Sequence, residues 1–403
     1  MATRRLGVLT GGGDTTALNA TLKGIALGAE DAGYELIGID AGWAGMLADG
    51  QAGRLPASSI DPDRGGTIIR SSRTNLRRVE GGMDQASARI EKLGLDALIA
   101  IGGDDTLTVG VSLGEHHQGI PVNFVTKTID NDVGTNPATG GAYEHGQMRN
   151  YFCPGFPTAA TWLADATRAL RTTAYSHGRI IIFEAMGRTA GWLALATAFG
   201  HPDFIVLPEW PLDVDALVEA VAARYSERGN VIVVVAEGAI GADGKPLAES
   251  GDIDSFGHRR LGGCSQWFAD LLKDRIAHDG GVSATNISAV IPSYLQRCGS
   301  PVAVDRDWAI ELGRAAASAV AAGESNRVAC PALVDGSLAV ATHDVRHVLV
   351  RDDGGTIIPR TVDPRLYDDS SFTITQDGLD YFESVMGPEP ADYRDAVLEP
   401  FAG

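Results

Sequence analysis

The amino-acid sequence predicts an α/β fold built from doubly wound, Rossmann-like parallel sheets. Short runs of apolar and β-branched residues recur along the chain, and their apolar residues are mostly consecutive, as in strands that are buried on both faces. Amphipathic, alanine-rich stretches separate these runs. Strand and helix alternating in this way are typical of parallel sheets whose right-handed crossovers place helices on both faces.

The individual elements follow from the same patterns, in chain order. The predicted strands are Leu6–Thr10, Glu35–Ile39, Ala97–Gly102, Val122–Thr126, Ile180–Glu184, Phe204–Leu207, Val231–Ala236, Ile287–Ile291 and Ala332–Val334. The predicted helices are Leu18–Ala32, Gln85–Leu93, Leu212–Arg228 and Trp308–Ala322. The residues from about Asp335 onward are less regular and predict an appended hairpin or cap.

Length, composition and charge limit the classes of function. The 403 residues, 44% of them apolar, are sufficient for two or three domains with a sizeable core. The chain has 52 Asp and Glu residues against 33 Lys and Arg, for a formal net charge of -19. Such a surface repels nucleic acid and anionic membranes, so we exclude both as partners. A small anionic substrate would need a local group of arginines and lysines; by itself the acidity indicates only solubility.

The cysteines and the N-terminal residues argue against a secreted or zinc-dependent protein. Cys153, Cys264, Cys298 and Cys330 form no CxxC pair, so neither a zinc site nor a disulfide framework is expected. The first apolar stretch is too short for a signal-peptide core, and no apolar run reaches about 18 residues. We therefore expect a cytoplasmic protein.

The loop after the first predicted strand suits an anion. In doubly wound folds ligands bind beyond the carboxyl ends of the strands. Thr10-Gly11-Gly12-Gly13-Asp14 leads directly into a helix start, and glycines there let the backbone approach a ligand while helical N–H groups favour negative charge. The loop fits neither a Walker A nor a dinucleotide motif, and a simple tight turn is the alternative interpretation.

The loop after the third predicted strand carries two adjacent carboxylates. Gly102-Gly103-Asp104-Asp105-Thr106 follows a buried apolar run. Mg²⁺ is usually held in proteins by one or two carboxylates together with substrate phosphates, so this pair suits a bridging Mg²⁺ ion. The alternative is a helix N-cap aspartate with a solvent-facing neighbour.

The loop after the fourth predicted strand combines a cation with two further carboxylates. Asp130 and Asp132 lie two residues apart and would point the same way in extended chain. One carboxylate can act as a general base towards a hydroxyl while the other organises the metal or its water. Lys127 supplies positive charge for a transferring phosphoryl group. An Asx-rich turn is the alternative, but three such loops at three strand ends favour phosphoryl-transfer chemistry.

The combination of motifs resembles the phosphofructokinase family. The motifs Gly7–Asn19, Gly102–Thr106, Thr128–Asp132, Glu184–Gly191 and Tyr294–Arg306 have that family's order and similar spacing, over roughly residues 5 to 320. The resemblance implies a phosphofructokinase fold of two doubly wound domains with an active-site cleft between them. It also implies phosphoryl transfer to the 1-hydroxyl of fructose 6-phosphate, as in glycolysis.

The resemblance also implies roles for individual residues. On the donor side, Gly13 and Arg73 match contacts to the phosphate donor, with Asp105 and Thr106 beside Asp104, which matches the residue that organises magnesium. Asp130 matches the catalytic base, flanked by Thr128 and Asp132, with Lys127 beside them. The acceptor-binding residues implied by the family are Met186, Gly187, Arg188, Glu237, Tyr294, Arg297 and, from a neighbouring subunit, Arg179.

Asp105 favours pyrophosphate over ATP as the donor. ATP-dependent members resemble Gly-Gly-Asp-Gly at the second loop, whereas pyrophosphate-dependent members resemble the Gly-Gly-Asp-Asp found here. A carboxylate at this place adds bulk and like-charge repulsion where the α-phosphate of a nucleotide would lie. Lys127 is the companion change, because its ammonium can pair with a pyrophosphate oxygen. An ATP-dependent 6-phosphofructokinase is the alternative.

Several departures from the family concern the acceptor. Ser288 stands where a second arginine for the 6-phosphate is usual, and Cys298 replaces a glycine. Residues 133–141 lack the family's aromatic pattern, and Thr15-Thr16 replaces a common Pro-Gly. The alternative acceptors are therefore sedoheptulose 7-phosphate and an unphosphorylated sugar or polyol. A non-catalytic sensor of phosphosugars is a further alternative, although the catalytic-type residues are present.

The family also suggests the domain organisation. We expect a donor and magnesium domain over residues 1–155, rejoined by about 288–305, an acceptor domain over 156–334 and a C-terminal extension over 335–403. If Arg179 acts across an interface, the active form is a homodimer or homotetramer whose small-molecule substrates are pyrophosphate and a sugar phosphate.

Overall fold

The computed structural model describes residues 4–117, 119–253, 259–277 and 282–392. These residues form two compact units. The first unit contains the described residues up to Thr158 together with residues 297–360, and the second contains those between Ala159 and Gln296 together with those from Thr361 onward. The domain boundaries expected from the sequence remain predictions.

Strands and helices alternate along most of the chain. The strands are β1 (Arg4–Thr10), β2 (Tyr34–Ile39), β3 (Ala52–Arg54), β4 (Ala97–Gly102), β5 (Val122–Thr126), β6 (Ile180–Ala185), β7 (Phe204–Val206), β8 (Val231–Ala236), β9 (Glu249–Ile253), β10 (Arg259–Leu261), β11 (Ile287–Val290), β12 (Arg327–Val334), β13 (Ser337–Asp344), β14 (Tyr367–Asp368) and β15 (Thr373–Ile374). The α-helices are α1 (Leu18–Asp31), α2 (Gly82–Leu93), α3 (Asp104–His116), α4 (Phe156–His177), α5 (Trp192–Ala196), α6 (Val214–Arg228), α7 (Cys264–Ile276), α8 (Ala303–Ala321) and α9 (Gln376–Met386).

The first unit is organised around a seven-stranded sheet of order β13-β12-β5-β4-β1-β2-β3. Its five central strands are parallel, and the edge strands β13 and β3 are antiparallel to their neighbours. Thr10 of β1 pairs with Ile101 of β4, and Gly102 of β4 pairs with Thr126 of β5. The carboxyl ends of β1, β4 and β5 therefore finish side by side at one edge of the sheet.

Glycines allow the two helices α1 and α8 to pack closely on this sheet. A Cβ atom on Gly24 would lie 2.0 Å from the Ile310 carbonyl oxygen, and one on Gly28 would lie 2.7 Å from Ala317 Cβ. Leu22 and Ile25 of α1 and Leu312 of α8 are fully buried. The close approach covers one face of the buried strands with apolar surface.

The second unit contains a four-stranded parallel sheet of order β11-β6-β8-β7. Every residue of β6 and β8 is buried, as their mainly apolar sequences predict; Glu184 is the charged residue of β6. Helix α9, the last in the described part of the chain, belongs to this unit, and its Tyr381 ring lies 5.2 Å from the ring of Trp192 in α5. No helix in the described part of the chain is long and apolar enough to cross a bilayer.

The predicted α/β class with parallel sheets is confirmed. The last predicted strand, Ala332–Val334, is the end of the longer β12, which turns through Asp335 and Gly336, both with positive φ, into β13. This antiparallel hairpin forms one edge of the seven-stranded sheet, and the appended hairpin or cap expected from residue 335 onward remains a prediction. The patterns did not indicate α4, a 22-residue helix rich in threonine and alanine.

Candidate active site

The three sequence-predicted donor loops meet at the carboxyl ends of β1, β4 and β5. The backbone N–H of Gly11 donates to the Ile101 carbonyl, and that of Lys127 donates to the Gly102 carbonyl, both at 2.9 Å. The Lys127 ammonium donates to the Gly13 carbonyl at 2.5 Å. These hydrogen bonds join the first loop to β4, the strand that precedes the second loop. They also join the third loop to the end of β4 and to the first loop.

Glycines at the strand ends make room for Thr106 in the first turn of α3. A Cβ atom on Gly11 would lie 2.5 Å from Thr106 Oγ1, and one on Gly102 would lie 2.4 Å from Thr106 Cβ. These close approaches require glycine at both positions. Thr106 is buried, so it packs the loops together; its expected role in donor binding remains a prediction.

Arg73 follows a segment that is attached to the first loop. The backbone N–H of Gly12 donates to the Ser72 carbonyl at 3.0 Å, and the Ser71 hydroxyl donates to the Gly12 carbonyl at 2.7 Å. Arg73 comes directly after these contacts and is exposed. The fold thereby places its backbone beside the loop that contains Gly13.

Lys127 is a buried cation at the centre of this region. Lys127 is only 3% exposed. Its pKa is lowered to about 8, mainly by burial and secondly by repulsion from Arg297. The carboxylates of Asp14, Asp130 and Asp132 act in the opposite direction. The ammonium of a lysine in such surroundings can form an ion pair with an anionic ligand.

The loop with the candidate base has a turn of unusual backbone conformation. Asn131, between Asp130 and Asp132, is buried and has φ of 55°, in the left-handed region. The backbone N–H of Asp130 donates to Thr128 Oγ1 at 3.0 Å. Thr128 thus fixes the start of the turn that presents the two aspartates.

The carboxylates of the site fit a hard cation. Asp104 and Asp105 form the first turn of α3, and Asp130 Oδ1 is buried without a hydrogen-bond partner among the described residues. Burial and the nearby carboxylates of Asp130 and Asp104 hold the pKa of Asp132 above its usual range. A divalent cation would relieve this repulsion.

The protein alone does not build a complete metal cage in this region. Within the described residues, no group of three or more His, Cys, Asp or Glu side chains is arranged to hold a metal ion. Asp104 and Asp105 are the adjacent carboxylates at the start of α3, and Mg²⁺ usually takes one or two carboxylates and completes its shell with waters and substrate phosphates.

The structure places Arg297 at the donor loop. Its Nη1 lies 3.4 Å from the Asp14 carbonyl oxygen, and a Cβ atom on Gly13 would lie 2.4 Å from the same nitrogen. Tyr294, expected beside it as an acceptor ligand, is 62% exposed. Their roles towards the acceptor remain predictions.

The second unit brings together four of the predicted acceptor residues. Glu237, directly after β8, accepts hydrogen bonds through Oε1 from the backbone N–H groups of Gly187 and Arg188, at 3.3 and 3.1 Å. Gly187 and Arg188 both have positive φ. Met186 begins the same loop after β6, so Glu237 orders the whole turn.

Two further residues hold this acceptor loop. Gln296 is buried and accepts a hydrogen bond from the Met186 N–H at 2.9 Å. Glu209 accepts hydrogen bonds from the Gly191 and Val362 N–H groups at 2.7 and 2.8 Å. Burial raises the pKa of Glu209 to about 7.

Arg179 is not brought to the same place as the other acceptor residues. It precedes the first residue of β6, whereas Met186 follows the last. At about 3.3 Å per residue, seven steps of strand separate the two by roughly 20 Å. Ser288 lies in the neighbouring strand β11, paired with Ile181 near the Arg179 end.

Sequence reasoning missed Gln296, Glu209, Asp305 and Arg360. Asp305 is fully buried and accepts hydrogen bonds from the N–H groups of Gly155 and Thr158. Burial raises its pKa to about 6. Gln296 and Asp305 fall inside the motif Tyr294–Arg306, which was the available signal, whereas Glu209 and Arg360 lie in no recognisable pattern.

The chain is similar in sequence to known proteins over most of its length. The sequence profile of the family described as Phosphofructokinase matches residues 5–320. A pyrophosphate--fructose 6-phosphate 1-phosphotransferase from Amycolatopsis mediterranei (strain S699) is 41% identical over 324 residues, which are 79% of this chain and 88% of that protein. An ATP-dependent 6-phosphofructokinase from Corynebacterium efficiens is 37% identical over 334 residues, 81% of this chain and 90% of that one.

A solved structure supports the fold. The crystal structure of the pyrophosphate-dependent phosphofructokinase from Marinobacter aquaeolei matches with a TM-score of 0.76 at 20% identity, covering 96% of this chain and 94% of that one.

Proposed function

The chain belongs to the phosphofructokinase family, and on that premise we propose that it transfers a phosphoryl group from pyrophosphate to the 1-hydroxyl of fructose 6-phosphate. The observation that carries the choice of donor is Asp105 in the first turn of α3. The Amycolatopsis relative named for pyrophosphate and fructose 6-phosphate supports the same substrates.

The donor site is built from the three loops of the first unit. Asp105 adds a second carboxylate beside Asp104, which disfavours the additional phosphate of a nucleotide by bulk and like charge. Lys127, held against the Gly13 carbonyl, supplies the positive charge that a leaving phosphate needs. Arg73 and the backbone N–H groups of the first loop provide further stabilisation of the phosphate charge.

Asp130 acts as the general base of the proposed reaction. Its Oδ1, which has no hydrogen-bond partner among the described residues, accepts the proton of the acceptor hydroxyl as that oxygen bonds to phosphorus. The bond from phosphorus to the bridging oxygen of pyrophosphate breaks, and Lys127 stabilises the departing phosphate. Thr128 orients Asp130 through its N–H, and Asp132 lies on the other side of Asn131.

Asp104 would hold Mg²⁺ together with the donor phosphates, and the bound ion would supply charge neutralisation. Glu237 accepts hydrogen bonds from the backbone of Gly187 and Arg188. We assign binding of the acceptor to these three residues together with Met186, Tyr294 and Arg297. Arg179 is assigned to the acceptor of a neighbouring subunit, since it lies roughly 20 Å along β6 from Met186. The proposed active form is therefore a homodimer or homotetramer.

A donor and acceptor screen tests the proposal. With Mg²⁺ and fructose 6-phosphate we expect kcat/KM for pyrophosphate to exceed that for ATP by at least about a hundredfold, or roughly 3 kcal/mol. Asp105→Gly should lower kcat/KM for pyrophosphate and raise kcat/KM for ATP. Preferential use of ATP by the unmodified enzyme would reject the donor assignment. Higher turnover of sedoheptulose 7-phosphate or an unphosphorylated sugar than of fructose 6-phosphate would reject fructose 6-phosphate as the acceptor.

A further inference from the structure

We propose that Arg360 is a positioning residue that fixes the loop Thr128–Asp132 in its working geometry. Arg360 lies outside residues 5–320, the part of the chain matched by the family profile. It is only 3% exposed and belongs to the same compact unit as the loop. The inference rests on the proposed function, because it assigns a task within the same site.

The contacts of Arg360 converge on the turn between the two aspartates. Nε and Nη2 donate to the Asn131 carbonyl oxygen at 3.0 and 2.7 Å, and Nη2 also donates to Asn131 Oδ1 at 2.7 Å. The backbone N–H of Arg360 donates to the Asp132 carbonyl at 2.6 Å. One residue thus binds both peptide carbonyls that follow Asp130.

The turn needs such support because its backbone is not stabilised by a strand or helix. Asn131 has a left-handed φ of 55°, a conformation that is unfavourable for a residue other than glycine. The residue is buried, and a buried carbonyl without a hydrogen-bond partner is destabilising. Arg360 supplies those hydrogen bonds.

The same guanidinium also connects the turn to the next segment of chain. Nη1 donates to the Asn150 carbonyl at 2.5 Å, and the Asn150 amide donates to the Val133 carbonyl at 2.7 Å. Asn131 Oδ1 accepts a second hydrogen bond from the Cys153 N–H at 3.0 Å. The loop is therefore held on both sides of Asn131.

The number and directions of these hydrogen bonds require a guanidinium. Arg360 reaches three acceptor oxygens, on two residues, with one planar side chain. The ammonium of a lysine is a point charge on a flexible stem and cannot reproduce that fork. Arg360→Lys therefore keeps the charge while it removes the geometry.

The test compares Arg360→Lys with Arg171→Lys. Arg171 is equally buried at 3% and donates to Asn230, Asp203 and the His201 carbonyl in the second unit, so its replacement controls for loss of a buried guanidinium. We expect Arg360→Lys to lower kcat at least about tenfold with KM for pyrophosphate changed less than threefold. Arg171→Lys should lower thermal stability and leave kcat unchanged.

Hydrogen exchange separates this inference from the proposed reaction. Backbone amides of residues 128–133 should exchange faster in Arg360→Lys and at the parent rate in Arg171→Lys, whatever the substrates are. Asn131→Gly is the second variant if Arg360→Lys does not fold. It keeps the left-handed turn but loses the contact between Arg360 and the side-chain amide of Asn131. Its loss of kcat should be smaller than the tenfold loss expected for Arg360→Lys.

Unchanged exchange, or a kcat that falls equally in both lysine variants, would overturn the positioning role. An unmodified enzyme that transfers no phosphoryl group from pyrophosphate or ATP would instead reject the proposed function, and the exchange comparison would still decide the role of Arg360.

Discussion

Lys127 shows how one residue can be both buried and charged where phosphate chemistry is expected. Its ammonium has a carbonyl partner in Gly13, yet burial lowers its pKa to about 8. A lysine with a lowered pKa is charged below that value and neutral above it. The proposed site is therefore complete only while the pH stays below about 8.

This pKa predicts a loss of activity as the pH rises. For the free enzyme, kcat/KM for pyrophosphate should fall roughly tenfold between pH 7 and pH 9, because the charged fraction of Lys127 falls by about that factor. Steady-state kinetics of Lys127→Met with the same substrates provide the control, since ionisation of pyrophosphate affects both proteins. A parallel pH profile in the two proteins would contradict the role of the ammonium.

The residues to which we assign chemistry were proposed from their places in loops after buried strands, whereas the residues that brace those loops were not predicted. Asp104, Lys127 and Asp130 stand in glycine- or Asx-rich loops that follow apolar runs. Arg360 is 229 positions from Asn131, and Gln296 is 110 positions from Met186. Such contacts depend on the complete fold, so the motif that contains Gln296 could not indicate its partner Met186, and no local pattern marked Arg360.

At the scale of elements, the apolar runs predicted the buried parallel strands closely, because burial on both faces leaves a continuous signal. The edge strand β3 is short, and its sequence Ala52–Arg54 is partly exposed. It carries no such signal and was not predicted. Helix α4 was missed for a related reason: its apolar residues are mainly alanines, which mark a helical face weakly.

The contact between α1 and α8 predicts a marked effect of a single methyl group. Gly24→Ala would place Cβ 2.0 Å from the Ile310 carbonyl oxygen, so the helices must separate and the free energy of unfolding should fall by about 2 kcal/mol or more. Urea denaturation measures the change. Gly114→Ala in α3 is the matched control, because its Cβ would have an ordinary 3.4 Å contact with Val122 and should add up to about 1 kcal/mol of helix propensity. Equal stability of the two variants would refute this packing argument.

At the scale of the whole molecule, the predicted residues divide between the two units. The first unit contains the donor loops, Arg73 and Asp130, and the second contains Arg179, Met186 and Glu237. The sequence order of motifs could assign residues to a donor or an acceptor group. The predicted strand Ile180–Glu184 also separated Arg179 from Met186 along the chain, and the observed extent of β6 places the two residues beyond opposite ends of one strand.

This separation predicts complementation between two inactive proteins. Roughly 20 Å of strand lies between Arg179 and the acceptor loop of its own chain, so an Arg179 that serves the acceptor must serve the site of another subunit. Asp130→Ser removes the proposed base from one protein, and Arg179→Ala removes the proposed phosphate contact from the other. Unfolded, mixed in equal amounts and refolded, they should recover about a quarter of the parent activity at low acceptor concentration, because random association pairs an intact Asp130 with a neighbour's intact Arg179 in that fraction of sites. Each protein refolded alone is the control, and a mixture no more active than their average would place Arg179 outside the acceptor site.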